Sequence, residues 1–135
     1  MNSSIEYRHA AAMRDAIDVV EEAYEFMLAY AAQGRKREAE DEGVSKIRDY
    51  LNRFATALES LEAAAPNALG GAAADGFRER FLADMAVMRS VIAMLLAKPS
   101  IGSDMVDNTN GLIAVRSFLT DLFFIDQAIL PPRGN

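Results

Sequence analysis

Residues 44–66 read VSKIRDYLNRFATALESLEAAAP. Val44, Ile47, Leu51, Phe54, Leu58 and Leu61 recur in alternating steps of three and four. On a backbone of 3.6 residues per turn they form one narrow apolar stripe, whereas a strand would need alternation at every second position. Glu42 with Lys46, and Asp49 with Arg53, stand four apart on the opposite face and add small surface support. Such a stripe is buried only against other helices, so the stretch predicts one helix of a bundle. The charged residues upstream extend it to about 36–64. Pro66 closes it, and Gly43 weakens its first turns.

The flanking sequence supplies the partners. Over 4–33, Ile5, His9, Ala12, Ala16, Val19, Ala23, Phe26 and Tyr30 form one seam, and Met13, Ile17, Val20, Tyr24, Met27 and Ala31 an adjacent one. Ser3 and Glu6 have capping-box spacing, and Gly34 is the stop. A helix of that length is roughly 45 Å long. After a Gly/Ala-rich connection, Asp75 caps a third helix over 75–98, with Phe77, Phe81, Met85, Met88, Ile92 and Leu95 as its stripe. Beyond the Pro99-Ser100-Ile101-Gly102 break, a fourth helix spans about 104–130 and stops before Pro131. The Asn108-Thr109-Asn110-Gly111 segment is either a distorted turn inside it or the loop before it. The expected fold is all-α: a single-domain (1–135) antiparallel four-helix bundle, up-down-up-down, oligomerising through its C-terminal helix.

Composition narrows the chemistry. The chain has 135 residues, a net charge of −6, no cysteine and one histidine, His9. Thiol nucleophiles, disulfides and cysteine metal sites are excluded, and so is a two-histidine di-iron site within one chain. The acidic balance predicts no nucleic-acid partner and no docking on anionic membranes. A basic segment leading into an apolar run is missing at the start, so the expected setting is cytoplasmic. The 24 alanines fall largely on the helical seams, which predicts close helix approach.

Three constellations stand out. Glu22-Ala23-Tyr24-Glu25 and Glu38-Ala39-Glu40-Asp41 are acidic pairs separated by twelve residues. Four carboxylates on two antiparallel helices could bind Mg²⁺ through oxygen alone. This spacing resembles the signature of the all-α nucleotide pyrophosphohydrolases of the MazG type, over about 20 residues. The resemblance implies Mg²⁺ as cofactor and Glu22, Glu25, Glu38 and Asp41 as its ligands. Taken alone, the same residues read as solvated helix faces. Second, His9, Tyr24 and Tyr30 lie on apolar seams and are candidates for lining a small-ligand pocket. Methionines 13, 27, 85, 88, 94 and 105, on or near seams, fill core gaps or line an adaptable groove. Third, residues 118–130 contain only Thr120, Asp121, Asp126 and Gln127 as polar residues. Phe118, Leu119, Leu122, Phe123, Phe124, Ile125 and Ile129 are therefore the expected interface, pairing isologously in a homodimer.

The function expected from this balance is a non-catalytic helical interaction protein: an adaptor, an assembly chaperone or a small regulator. It needs no cofactor and acts through an apolar helix face on a basic or amphipathic partner. The alternatives are the Mg-dependent pyrophosphohydrolase and a ligand-binding bundle.

Overall fold

The computed structural model describes residues 3–41 and 43–132, with side chains placed for all of these except 3–7, 40, 41 and 44. It is all-helical, with five helices: α1 (Ser3–Ala31), α2 (Lys46–Ala68), α3 (Asp75–Leu96), α4 (Ser103–Asn110) and α5 (Ile113–Phe124). A two-residue antiparallel pairing, β1 (Glu40–Asp41) with β2 (Val44–Ser45), leads into α2. The Ser3–Glu6 capping box falls on side chains outside the described set. None of the described helices is long and apolar enough to cross a membrane.

Neighbouring helices run antiparallel. Phe26 stacks on Tyr50 at 4.3 Å between ring centroids, and Glu22 lies 3.7 Å from Arg53, so α1 descends as α2 rises. Between α2 and α3, Arg48 reaches the Leu96 carbonyl at 2.8 Å, and Glu62 meets Arg89 at 3.0 Å. Between α3 and α5, Phe77 packs on Phe124 and Phe81 on Phe118, with centroids 5.1 and 6.1 Å apart. The α4–α5 pair returns along α1: Ser103 Oγ donates to the Tyr30 carbonyl, and Asn110 Nδ2 to that of Met27. At the far end Arg14 Nε meets Asp126 at 3.0 Å.

The stripes explain the core. Ile47, Leu51, Phe54, Leu58 and Leu61 of α2 are buried against Met13, Ile17, Val20 and Met27 of α1. Ala16, Ala23, Ala57, Ala64 and Ala65 are buried as well, which is the close approach that the alanine content predicts. Phe118 sits between Phe54 and Phe81, joining α2, α3 and α5 through one ring. Of the six seam methionines, Met13, Met27, Met85 and Met88 are buried, whereas Met94 and Met105 are exposed.

Three boundaries differ from expectation. Residues 36–41 and 43–45 are not helical: α2 starts at Lys46, with Ser45 as its N-cap. The charged run supplies no apolar face to bury, and Gly34 and Gly43 take φ of +64° and +83°, which a helix does not allow. Pro66 does not end α2 but lies in its last turns. There its missing N–H costs one bond, while Ala65 and Leu69 stay buried and Leu69 N–H reaches the Ala65 carbonyl. The expected fourth helix is two pieces, parted at Gly111-Leu112, and its end widens so that Leu130 N–H reaches back to Ile125 at 2.9 Å.

Candidate functional site

The surface feature that folding leaves unfinished lies between α1 and α5. Residues 112, 116, 119 and 123 repeat along one face of the returning helix, and residues 21, 24, 25 and 28 along one face of α1. Glu21, Tyr24, Glu25, Leu119, Leu122 and Phe123 enclose a groove of about 400 Å³. It continues past Tyr24 into a second hollow bounded by Leu28, Asn110, Leu112 and Arg116, at the α4–α5 break. Phe123 is 65% exposed, Leu28 47% and Leu112 44%, so the apolar lining faces water. Carboxylates rim it at one end.

The expected interface residues divide accordingly. Phe118, Leu122 and Ile125 are consumed by the chain's own core. Leu119 and Ile129 are half-buried against that core. Phe123 and Phe124 are exposed, Phe123 in the α1–α5 groove and Phe124 against Phe77 of α3. Helix five is thus apolar on nearly all sides because one face is core and another lines the groove.

The three ligand-pocket candidates do not share a cavity. His9 is half-buried near the start of α1. Tyr24 belongs to the groove. Tyr30 is buried at the opposite end, where its hydroxyl donates to the Ile101 carbonyl at 2.6 Å. Burial first, and then the charge of Glu38, raise its pKa above the ordinary phenol value.

The four carboxylates of the proposed Mg²⁺ set have separate fates. Glu22 is exposed beside Arg53 on the α2 side of α1, and Glu25 lines the groove on the α5 side. The Asp41 side chain lies outside the described residues. Glu38 sits in the loop that replaces the expected start of α2, and it holds that loop to the rest of the molecule. Its carboxylate takes Arg48 Nε at 2.7 Å, Arg48 Nη2 at 3.0 Å and the Ile101 N–H at 2.7 Å. Arg48 gives two further donors to the Leu96 and Lys98 carbonyls. The backbone joins in: Glu38 N–H donates to Ser100 Oγ, Ser103 N–H to the Arg35 carbonyl, and Arg35 N–H to Ser103 Oγ. Burial would raise the Glu38 pKa, but hydrogen bonds from Arg48, Ser45 and Ile101 and the Arg48 charge outweigh it and hold it below the ordinary carboxylate value. Among the described residues, no three His, Asp or Glu side chains gather around a point that could hold an ion.

The sequence reading missed a further acidic pair. Asp84 of α3 and Asp121 of α5 face one another beside Phe81 and Phe118. Asp84 takes Arg80 Nε on both oxygens, at 3.1 and 3.0 Å, and Arg80 reaches across to Ser117 at 3.2 Å. Burial, followed by the hydrogen bond and charge of Asp84, pushes the Asp121 carboxyl up to about 7, with Arg80 opposing. The signal was present: each acid interrupts an apolar stripe, three residues after a core phenylalanine and four before Met88 or Ile125.

A shallow hollow between α1 and α2 is larger, about 560 Å³, but its floor is Ala12, Ala16, Val19 and Ala57. On its rim Arg53 is already paired with Asp49, at 2.8 Å. It offers no large apolar side chain to a partner. The chain matches no family model, no curated protein and no solved structure.

Proposed function

We propose that the protein is a non-catalytic helical interaction module that receives a basic, amphipathic segment of a partner protein in the groove between α1 and α5. The observation that carries this reading is Phe123, 65% exposed on α5 beside the Glu21 and Glu25 carboxylates. An exposed aromatic in a preformed apolar groove is the usual form of a binding hot spot. Burying it on docking contributes about 1–2 kcal/mol. The acidic rim and the net charge of −6 favour a partner that carries lysine or arginine beside its apolar anchors. In the same reading α1, α2, α3 and the broken α4–α5 rod form an up-down-up-down four-helix bundle that works in the cytoplasm. Its fourth rod is broken where the groove is deepest in polar groups. A homodimer would use this same face, with a second copy in the groove.

A photo-crosslinking amino acid at position 123, with exposed Met94 as the control position, tests the proposal in the native host. The expected result is a discrete adduct at 123 that is absent at 94 and is lost when Glu21 and Glu25 are both changed to lysine. An adduct of twice the chain's mass identifies the second copy as the occupant in place of a basic partner. Equal labelling at the two positions overturns the reading.

A further inference from the structure

Asp84 and Asp121 stand on facing antiparallel helices, each three residues beyond one of the stacked rings Phe81 and Phe118. Asp84 is buried, and both of its oxygens are engaged by Arg80. Asp121 Oδ2 is buried too, and among the described residues no N–H or O–H donor reaches it. Arg80 joins α3 to Ser117, one turn before Asp121, at 3.2 Å, and the group that acts on Asp121 across that contact is the Asp84 carboxylate, through a hydrogen bond and its charge. Two ionised carboxylates only accept, so a hydrogen bond between them requires that one keep its proton. Asp84 is already matched by a guanidinium. The proton therefore belongs on Asp121, whose hydroxyl then donates to Asp84.

We propose that Asp84 and Asp121 form a one-proton latch that holds α5 on α3, and that removing the proton loosens α5 from the core. The charged groups that act on Asp121 are Asp84 and Arg80, both on α3. The acids of α1, Glu21 and Glu25, lie on another flank of α5, beside Leu119, Leu122 and Phe123. From α2 the neighbour is an uncharged ring, Phe54 against Phe118. Arg80 is mostly exposed and already committed to Asp84, so it cannot neutralise two carboxylates. Once both ionise, two like charges share a partly buried site, and the segment able to relieve them is α5, which is bounded by the Gly111 break and by the widened turn after Phe124.

The carboxyl is pushed up to about 7, which places the change near neutrality. The sign follows from linkage. The folded value lies above the ordinary 3.8, so the latch contributes fully below about pH 4 and is lost as pH rises through about 7. The device needs no partner in the α1–α5 groove in order to act. Loosening α5 would move Phe118 and Leu122 from the core as well as Phe123 at the surface.

The experiment is a carboxyl ¹³C titration of the unmodified protein, combined with amide hydrogen exchange of α5 and α2 at pH 5.5 and 8.5, corrected for the intrinsic rate. One aspartate should titrate near neutrality, and α5 protection should fall at least tenfold more than that of α2. Asp121→Asn keeps a donor toward Asp84 and carries no charge, so it should abolish the differential loss. Asp84→Asn, which removes the like charge from the other side, should do the same. The inference is overturned if every aspartate titrates below pH 5, or if α5 and α2 lose protection together. It is equally overturned if Asp121→Asn retains the differential loss.

Discussion

Replacing Glu38 with glutamine tests whether the carboxylate serves as a clasp. The side chain is 9% exposed and its partner Arg48 29%, so the pair is mostly, but not wholly, removed from water. Glutamine keeps one carbonyl oxygen for the Ile101 N–H and Arg48 Nη2 but turns an amide toward Arg48 Nε, so the guanidinium loses that bond and its counter-charge. Breaking a fully buried pair costs about 3–5 kcal/mol, and the partial exposure of Arg48 brings this to about 2–3 kcal/mol. For a chain of this length that is a fall of roughly 10 °C in the melting midpoint. The assay is urea unfolding of both proteins from pH 7 to pH 3. The Glu38 pKa is held below its ordinary 4.5, so its stabilisation is present above that value and lost as pH falls through the lowered one. The gap between the two proteins should therefore be full at pH 7 and close in acid. Equal midpoints at pH 7 would refute the clasp, and so would a gap that persists unchanged to pH 3.

Phe118→Ala should cost about 3–5 kcal/mol, because it removes the ring between Phe54 and Phe81. Phe123→Ala should change stability by about 0.5 kcal/mol or less, since its ring is mostly in water; chemical denaturation of both variants separates core from groove. Gly102→Ala should destabilise by about 1–3 kcal/mol, because its new Cβ would lie 3.1 Å from the Lys36 carbonyl oxygen and 3.2 Å from that of Arg35. Those oxygens belong to backbone tied down by the Ser103 and Glu38 hydrogen bonds, and thermal melting reads the loss.

What the sequence revealed depended on whether a residue's environment was set locally. The stripes on α2 and α3 are periodic, and their residues are the ones the core buries. The 36–45 segment misled because Arg, Lys, Glu and Ala are good helix formers, so propensity argued for a helix that no apolar face supported. Gly34 and Gly43 were the contrary signal, and their positive φ shows why they outweighed it. Glu38 read as a surface acid because its partners, Arg48 and Ile101, lie 10 and 63 residues away. The division of 118–130 into core and groove depends likewise on where α1 lies, and a single helix's pattern does not specify that. Asp84 and Asp121 were visible as acids out of place on apolar stripes, but 37 residues separate them and only the α3–α5 register makes them a pair.

These two acidic sites show how the same side-chain chemistry gives opposite responses once its surroundings are fixed. Glu38 meets four donors and a cation, so the fold favours its charged form and acid weakens it. Asp121 meets a second carboxylate and a shared cation, so the fold favours its neutral form and alkali weakens it. One holds the loops at one end of the molecule, and the other holds α5 against α3. Their contributions to stability slope in opposite directions, which places the combined maximum in mildly acidic solution, between the two titrations. Above it the molecule yields first at α5, the helix that carries Phe123. A partner that grips Phe123 together with α1 would then restrain the helix that deprotonation loosens. Binding at the groove and proton release at Asp121 are thereby set against each other: each occupied groove should raise the pH at which α5 comes free.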